Sequence, residues 1–235
     1  MRRMGRERVG LREAVRALER LYGRPPSPPT DDPYLVALRE NVAYLVDDAR
    51  RDAAYESLRK SIGLEPDALE KATVARIVAG LGGSGGHAAR CAEKLKECAA
   101  IAREVGRERL RDLARGDPAA ARKILKRFPG IGDPGADRML LLARSLETLA
   151  PESNGLRVLQ RLGFAPETDN YARAYKAAAE AVAPELPEEL DDLIAARELL
   201  RTHGKELCTR TRPKCEACPL ARRCPAAAPG KTPCG

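Results

Sequence analysis

Tryptophan is absent from these 235 residues, and two phenylalanines and six tyrosines make up the whole aromatic complement. So little aromatic surface argues against a pocket that grips a flat ligand chiefly by stacking. Long apolar runs are missing too. Met139–Ala143 is one of the longest, far short of the ~20 residues a helix needs to cross a bilayer, so no membrane partner is expected. Alternating β-branched stretches are also lacking. Alanine, leucine, arginine and glutamate dominate instead, and helix starts recur at Asp32-Pro33, Glu65-Pro66, Asp117-Pro118 and Asp133-Pro134. The expected fold is all-α, with chain enough for a sizeable core in one or two domains.

Cysteine is plentiful but odd in number, seven in all. An odd count, with Cys208, Cys215, Cys218 and Cys224 packed close together, argues against a disulfide scaffold and for a reducing cytoplasm. Net charge is +8, unevenly spread: residues 1–24 carry +5, residues 201–235 carry +6 and the remainder −3. Basic character at both ends suggests that the termini build one polyanion-binding surface. Glu7, Glu13 and Glu19 interrupt the arginine-rich start. Residues 1–23 therefore read as an amphipathic surface helix, with Val9, Leu11, Val15, Leu18 and Leu21 apolar, and not as a targeting peptide. Arg24–Pro29 is a stiff linker. Further helices are expected at Pro33–Ala49, Asp52–Ile62, Asp67–Leu81, Gly86–Val105, Glu108–Leu113, Gly155–Leu162, Asn170–Val182 and Glu188–His203.

Phe128–Ala136 (FPGIGDPGA) joins a helix ending near Arg127 to one spanning Gly135–Leu149. Gly130 and Gly132 permit a sharp turn and close backbone approach to another molecule, and Asp133-Pro134 reads as an acidic N-cap followed by proline at the first helical position. A tight glycine turn that exposes amides beside a helix N-terminus is an anion site, with nucleic-acid phosphate as the candidate ligand. An ordinary helical hairpin has the same local pattern.

The cysteines follow C-x6-C-x2-C-x5-C. Four thiolates at these intervals can wrap one tetrahedral metal ion, zinc being the generic choice, or one cubane cluster. With His203-Gly204-Lys205, Pro213-Lys214 and Pro219-Leu220 around it, this segment resembles the [4Fe–4S] loop of the endonuclease III group within the helix-hairpin-helix DNA glycosylase superfamily. The hairpin Pro129-Gly130-Ile131-Gly132 is similar to that superfamily's hairpin. The resemblance implies two helical domains. One, residues 31–149, is a six-helix barrel with the helix-hairpin-helix, and the other, residues 1–30 and 150–225, carries the cluster, while residues 226–235 read as a disordered tail from their Ala/Pro/Gly-rich composition alone. It also implies a [4Fe–4S] cofactor on Cys208, Cys215, Cys218 and Cys224, and a double-stranded DNA partner lying across the two domains. DNA would be held by Gly130, Ile131 and Gly132 and by Arg210, Arg212 and Lys214. A monomer is expected, cytoplasmic and nucleoid-associated when bound to DNA. Cys91 and Cys98, seven apart on one helix face, read as small buried hydrophobes.

The family excises bases, which requires flipping the nucleotide, activating the base and stabilising a sugar cation. In bifunctional members a lysine in the second hairpin helix attacks the sugar. Laid on this hairpin, that position is Pro134, which has no amine, so lysine-dependent strand cleavage from it is excluded. The family's catalytic carboxylate falls at Glu152 where aspartate is usual, and Asn154 and Arg157-Val158 resemble the monofunctional adenine glycosylases. Glu40 aligns with their base-protonating glutamate, and Tyr44 with a residue that fills the gap left by the flipped base. The expected function is monofunctional excision of a damaged or mispaired base, with Glu152, Asn154 and Glu40 catalytic. The alternative is an iron–sulfur DNA-binding protein that has lost catalysis and senses damage. A zinc-loop helical protein unrelated to repair ranks below both.

Overall fold

The computed structural model describes residues 8–44, 46–83, 87–168 and 170–227. Among these residues there are twelve α-helices and no strand. The chain divides into two compact units, Pro28–Leu146, and Met1–Ser27 with Glu147–Gly235.

The first unit holds α2 (Pro33–Asn41), α3 (Asp48–Ser61), α4 (Pro66–Lys71), α5 (Val74–Gly80), α6 (Ala88–Val105), α7 (Arg107–Gly116), α8 (Pro118–Leu125) and α9 (Asp133–Leu142). Short polar side chains start many of them. Asp32 accepts from the Tyr34 amide at 2.9 Å, Asp47 from Arg50 at 2.8 Å, Thr73 from Arg76 at 3.2 Å and Asp117 from Ala120 at 2.9 Å, each cap contributing ~1 kcal/mol. Helix α6 lies at the centre because Cys91, Leu95, Cys98 and Ala102 repeat at helical spacing and are all buried. Burial pushes the Cys98 thiol up to about 12, the behaviour of an inert core residue.

Three sequence expectations change here, the first being the hairpin's second helix, which ends at Leu142 instead of Leu149. The helix begun at Pro33 ends at Asn41 instead of Ala49, because Asp47 caps a fresh helix. Asp67–Leu81 is not one helix but two, α4 and α5. Thr73 caps the second, and Lys96 of α6 donates to the carbonyls of Leu69, Glu70 and Ala72 at the end of the first.

The second unit holds α1 (Leu11–Tyr22), α10 (Ser153–Arg161), α11 (Tyr171–Val182) and α12 (Leu190–Glu206), with 3₁₀ turns at Ala183–Glu185, Cys215–Ala217, Ala221–Arg223 and Pro225–Ala227. Helix α1 buries Leu11, Ala14 and Leu18 against this unit. Leu21, expected on that apolar face, is 47% exposed, and Tyr22 turns inward in its place. Helices α10 and α12 approach closely through Gly155 and Gly204, whose missing side chains admit the partner backbone. Ala226 and Ala227 sit in a 3₁₀ turn where the unstructured tail was expected to begin. The rest of that tail, from residue 228, lies outside the described residues, as do the first seven residues of the expected 1–23 helix.

Candidate functional site

In the first unit the hairpin runs from α8 through Phe128–Gly132 into α9. Phe128 is buried and anchors the turn. Gly130 has φ +75°, the left-handed conformation that favours glycine, whereas Gly132 is extended at φ −93°. Gly132, not Asp133, occupies the N-cap of α9, and Asp133 is the first helical residue. Its carboxylate is drawn to Lys126 (2.8 Å) and Arg122 (3.2 Å), which hold it below the usual aspartate range. Ile131 points inward: its side chain is 7% exposed and packs on Gly135, and its amide donates to the Phe128 carbonyl at 3.1 Å. Ile131 therefore shapes the turn from within. The amides of Gly130, Gly132 and Gly135 have no backbone partner among the described residues, and Gly130 and Gly132 are exposed.

Asn41, which sequence reasoning passed over, holds this turn in place. Its buried Nδ2 donates to the carbonyls of Ala37 and Pro129, each at 2.9 Å. A helical asparagine seen in sequence carries no sign of a partner 88 positions away. Asn41→Leu leaves the Pro129 carbonyl unpaired and is expected to cost ~1–3 kcal/mol, measurable as a lower denaturation midpoint.

Glu40 is half-buried and ion-paired with Arg138 of α9, so it ties α2 to the hairpin's second helix. Tyr44 is 54% exposed and lies against the His87 ring, with centroids 4.9 Å apart.

In the second unit Glu152 is the N-cap of α10. One carboxylate oxygen accepts from the amides of Asn154 (3.0 Å) and Gly155 (2.9 Å). The other accepts from Asn154 Nδ2 (2.9 Å) and Ser153 Oγ (3.3 Å). Asn154 Oδ1 in turn accepts from Arg157 at 2.9 Å, and Arg157 donates to the carbonyls of Gly204 (2.6 Å) and Cys208 (3.0 Å). A continuous hydrogen-bonded run thus joins Glu152 to the start of the cysteine loop. Ahead of it, Ala150 has φ +42°, unusual for a residue with a side chain, and its carbonyl accepts from the buried Arg197 Nε at 2.9 Å. Tyr171, 42% exposed at the start of α11, has its hydroxyl raised by burial and by the Glu152 charge.

Cys208, Cys215, Cys218 and Cys224 are free thiols lining one cavity of about 560 Å³, together with His203 and Leu220. Among the described residues no three His, Cys, Asp or Glu side chains converge closely enough to hold a single metal ion. Burial pushes Cys218 up to about 11 and raises Cys224. Arg161, itself buried, donates to Cys208 Sγ at 3.3 Å and to the carbonyls of Thr209 (2.7 Å) and Arg210 (2.9 Å). Between the first two cysteines Arg210, Arg212 and Lys214 are all exposed, and no acid pairs with them among the described residues.

No family model matches the chain. Over 91% of the chain and 93% of each neighbour, the fold superimposes on solved structures of a trapped endonuclease III–DNA covalent intermediate and of a thermostable thymine-DNA glycosylase, each with a TM-score of 0.68, at 17% and 19% identity. The chain has the endonuclease III fold. In sequence it is 28% identical over 208 residues to the chloroplastic endonuclease III homolog 1 of Arabidopsis thaliana. It is 27% identical over 177 residues to endonuclease III of Sulfolobus acidocaldarius. The first match covers 85% of this chain but only 51% of that relative, and the second 73% and 72%. The resemblance to the endonuclease III group, drawn from the hairpin and the cysteine spacing, holds over most of the chain.

Proposed function

We propose that the chain is a DNA glycosylase of base-excision repair, hydrolysing the N-glycosidic bond of a damaged or mispaired base. The observation that carries this reading is the run from Glu152 through Asn154 and Arg157 to Cys208. A carboxylate held this way cannot swing, so its charge is fixed in position to stabilise the sugar cation and orient the attacking water. Asn154 sets the direction of that carboxylate. Pro134 supplies no amine at the family's lysine position, which supports water as the nucleophile in this reading. Glu40, paired with Arg138, has a structural part: it braces the hairpin.

Each unit contributes its own contact with the DNA backbone. The exposed glycine amides of the hairpin receive one phosphate, and Arg210, Arg212 and Lys214 receive others. Asp133 opposes this by neutralising Lys126 and Arg122. Asp133→Asn is therefore expected to tighten duplex binding roughly three- to tenfold at low salt and to steepen its salt dependence, as read by fluorescence anisotropy across a salt series.

The four cysteines are the residues that would hold a [4Fe–4S] cluster. All four line one cavity of about 560 Å³, and the buried Arg161 sets a positive charge against Cys208. When bound, the cluster supplies four metal–thiolate bonds that pin the basic loop. Cys208 and Cys224 would hold its ends, Cys215 and Cys218 its middle.

A second reading, DNA binding without catalysis, is favoured by one fact: both oxygens of Glu152 are already engaged, one capping α10 and the other accepting from the side chains of Asn154 and Ser153. Incubation with a panel of single-lesion duplexes, scored after hot alkali, separates the two. Alkali-dependent cleavage supports the glycosylase. Duplexes that stay intact although bound leave the binding protein, and cleavage without alkali reveals a lyase that Pro134 should forbid.

A further inference from the structure

The end of helix α1 reaches the cysteine loop through one buried ring. Tyr22, the last residue of α1, places its hydroxyl 3.1 Å from His203 Nδ1, and His203 Nε2 lies 3.4 Å from Cys218 Sγ. The ring is 1% exposed. The same residue's carbonyl accepts from the Cys208 amide at 2.8 Å, so His203 touches both the first and the third cysteine of the loop. This arrangement goes beyond positioning a cofactor by its four ligands.

We propose that Tyr22 and His203 form a directional hydrogen-bond chain that holds the metal-bound sulfur of Cys218 and raises the reduction potential of the cofactor. The inference rests on the cluster reading given above. A ligating thiolate carries no hydrogen and can only accept. Nε2 must then be the nitrogen that bears the proton, Nδ1 becomes an acceptor, and the Tyr22 hydroxyl must donate to it. In the free thiol the chain can run the opposite way, with S–H donating to Nε2 and Nδ1–H donating to the tyrosine oxygen. Loading the cofactor therefore fixes the tautomer of His203 and the direction of the Tyr22 hydroxyl. An N–H aimed at sulfur withdraws negative charge from it, which stabilises the reduced cluster more than the oxidised one. It also resists exchange of that ligand. By this route α1, at the opposite end of the sequence, becomes part of the cofactor site.

The test uses the full chain as purified, in wild-type form and as Tyr22→Phe, His203→Leu and His203→Gln. Iron and acid-labile sulfide are counted first, then the rate at which visible absorbance bleaches under a chelator, then the potential by protein-film voltammetry. Tyr22→Phe keeps the ring in place, so its circular dichroism should match wild type while bleaching accelerates roughly tenfold and the potential moves negative. His203→Leu should show the larger shift in both, and His203→Gln, which keeps an N–H donor, should recover part of it. Iron-replete Tyr22→Phe and His203→Leu proteins with wild-type bleaching rates and potentials overturn the inference alone. A wild type that holds neither iron nor sulfide overturns the cluster reading, and the inference with it.

Discussion

Glu152→Gln is expected to slow single-turnover base excision by ~10²–10³-fold, the loss typical of removing one preorganised electrostatic group from a transition state. The change keeps the side chain's length and one acceptor oxygen, so the amides of Asn154 and Gly155 can still be capped. What it removes is charge and directionality. The new amide would face Asn154 Nδ2, which now donates to the second carboxylate oxygen at 2.9 Å. Two donors cannot pair, and Asn154 cannot turn over without withdrawing its Oδ1 from Arg157. Glu152→Ala separates the two roles of the residue. It abolishes the cap as well, costing a further ~1 kcal/mol of stability. Glu152→Asp retains both charge and cap on a side chain one methylene shorter, so its activity should fall least. Equal activities for the glutamine and wild-type proteins on any lesion that wild type cleaves would remove Glu152 from the chemistry.

Local chemistry was legible in the sequence and long-range partnership was not. Asp32-Pro33 and Asp117-Pro118 mark helix starts because the signal lies within four residues, and both aspartates cap as their positions imply. Asp133-Pro134 carries the same signal yet fails by one position. Lys126 and Arg122, from the preceding helix, compete for the carboxylate and leave Gly132 as the cap. The break between α4 and α5 depends on Lys96, 24 residues beyond Ala72, and could not be seen locally. Leu21 and Tyr22 exchange roles for a similar reason: burial at the end of α1 is set by a histidine 181 positions away. At the candidate site the residue types were visible, including the spacing that lets Glu152, Asn154 and Arg157 share one helix end. Their connection to the cysteine loop, through the carbonyls of Gly204 and Cys208, is a product of folding. The parts of the site that sequence missed, Asn41, Arg161 and Arg197, all act on backbone carbonyls, and a carbonyl acceptor leaves no trace in a sequence.

Gly204→Ala is expected to destabilise the unit that holds the cysteine loop by ~2–3 kcal/mol, although alanine is the better helix former. Exchanging glycine for alanine in a helix interior ordinarily gains ~1 kcal/mol. Gly204 lies inside α12, and a methyl group built there would sit 2.5 Å from the Asn154 carbonyl oxygen, 2.7 Å from its carbon and 2.8 Å from the Asn154 Cβ. Two of those atoms are backbone, so no rotamer change relieves the clash, and α10 and α12 must separate by roughly 1 Å. A gap of that size forfeits a quarter to a half of each dispersion contact across the interface, and Leu156, Leu159, Leu199 and Leu200 are all buried on these two helices. The Arg157 bond to the Gly204 carbonyl, 2.6 Å long, stretches at the same time. The lost packing and the lost charge-assisted bond together outweigh the gain in helix propensity. Gly116→Ala serves as the control, because open space surrounds that glycine at the end of α7; it should be neutral or slightly stabilising. Urea denaturation of both variants beside wild type decides the matter. If Gly204→Ala unfolds at or above the wild-type midpoint, the close approach of α10 and α12 is not what holds the Glu152 run in register. If it unfolds early and also retains less iron, the packing of a single glycine connects the candidate carboxylate to the cysteine loop.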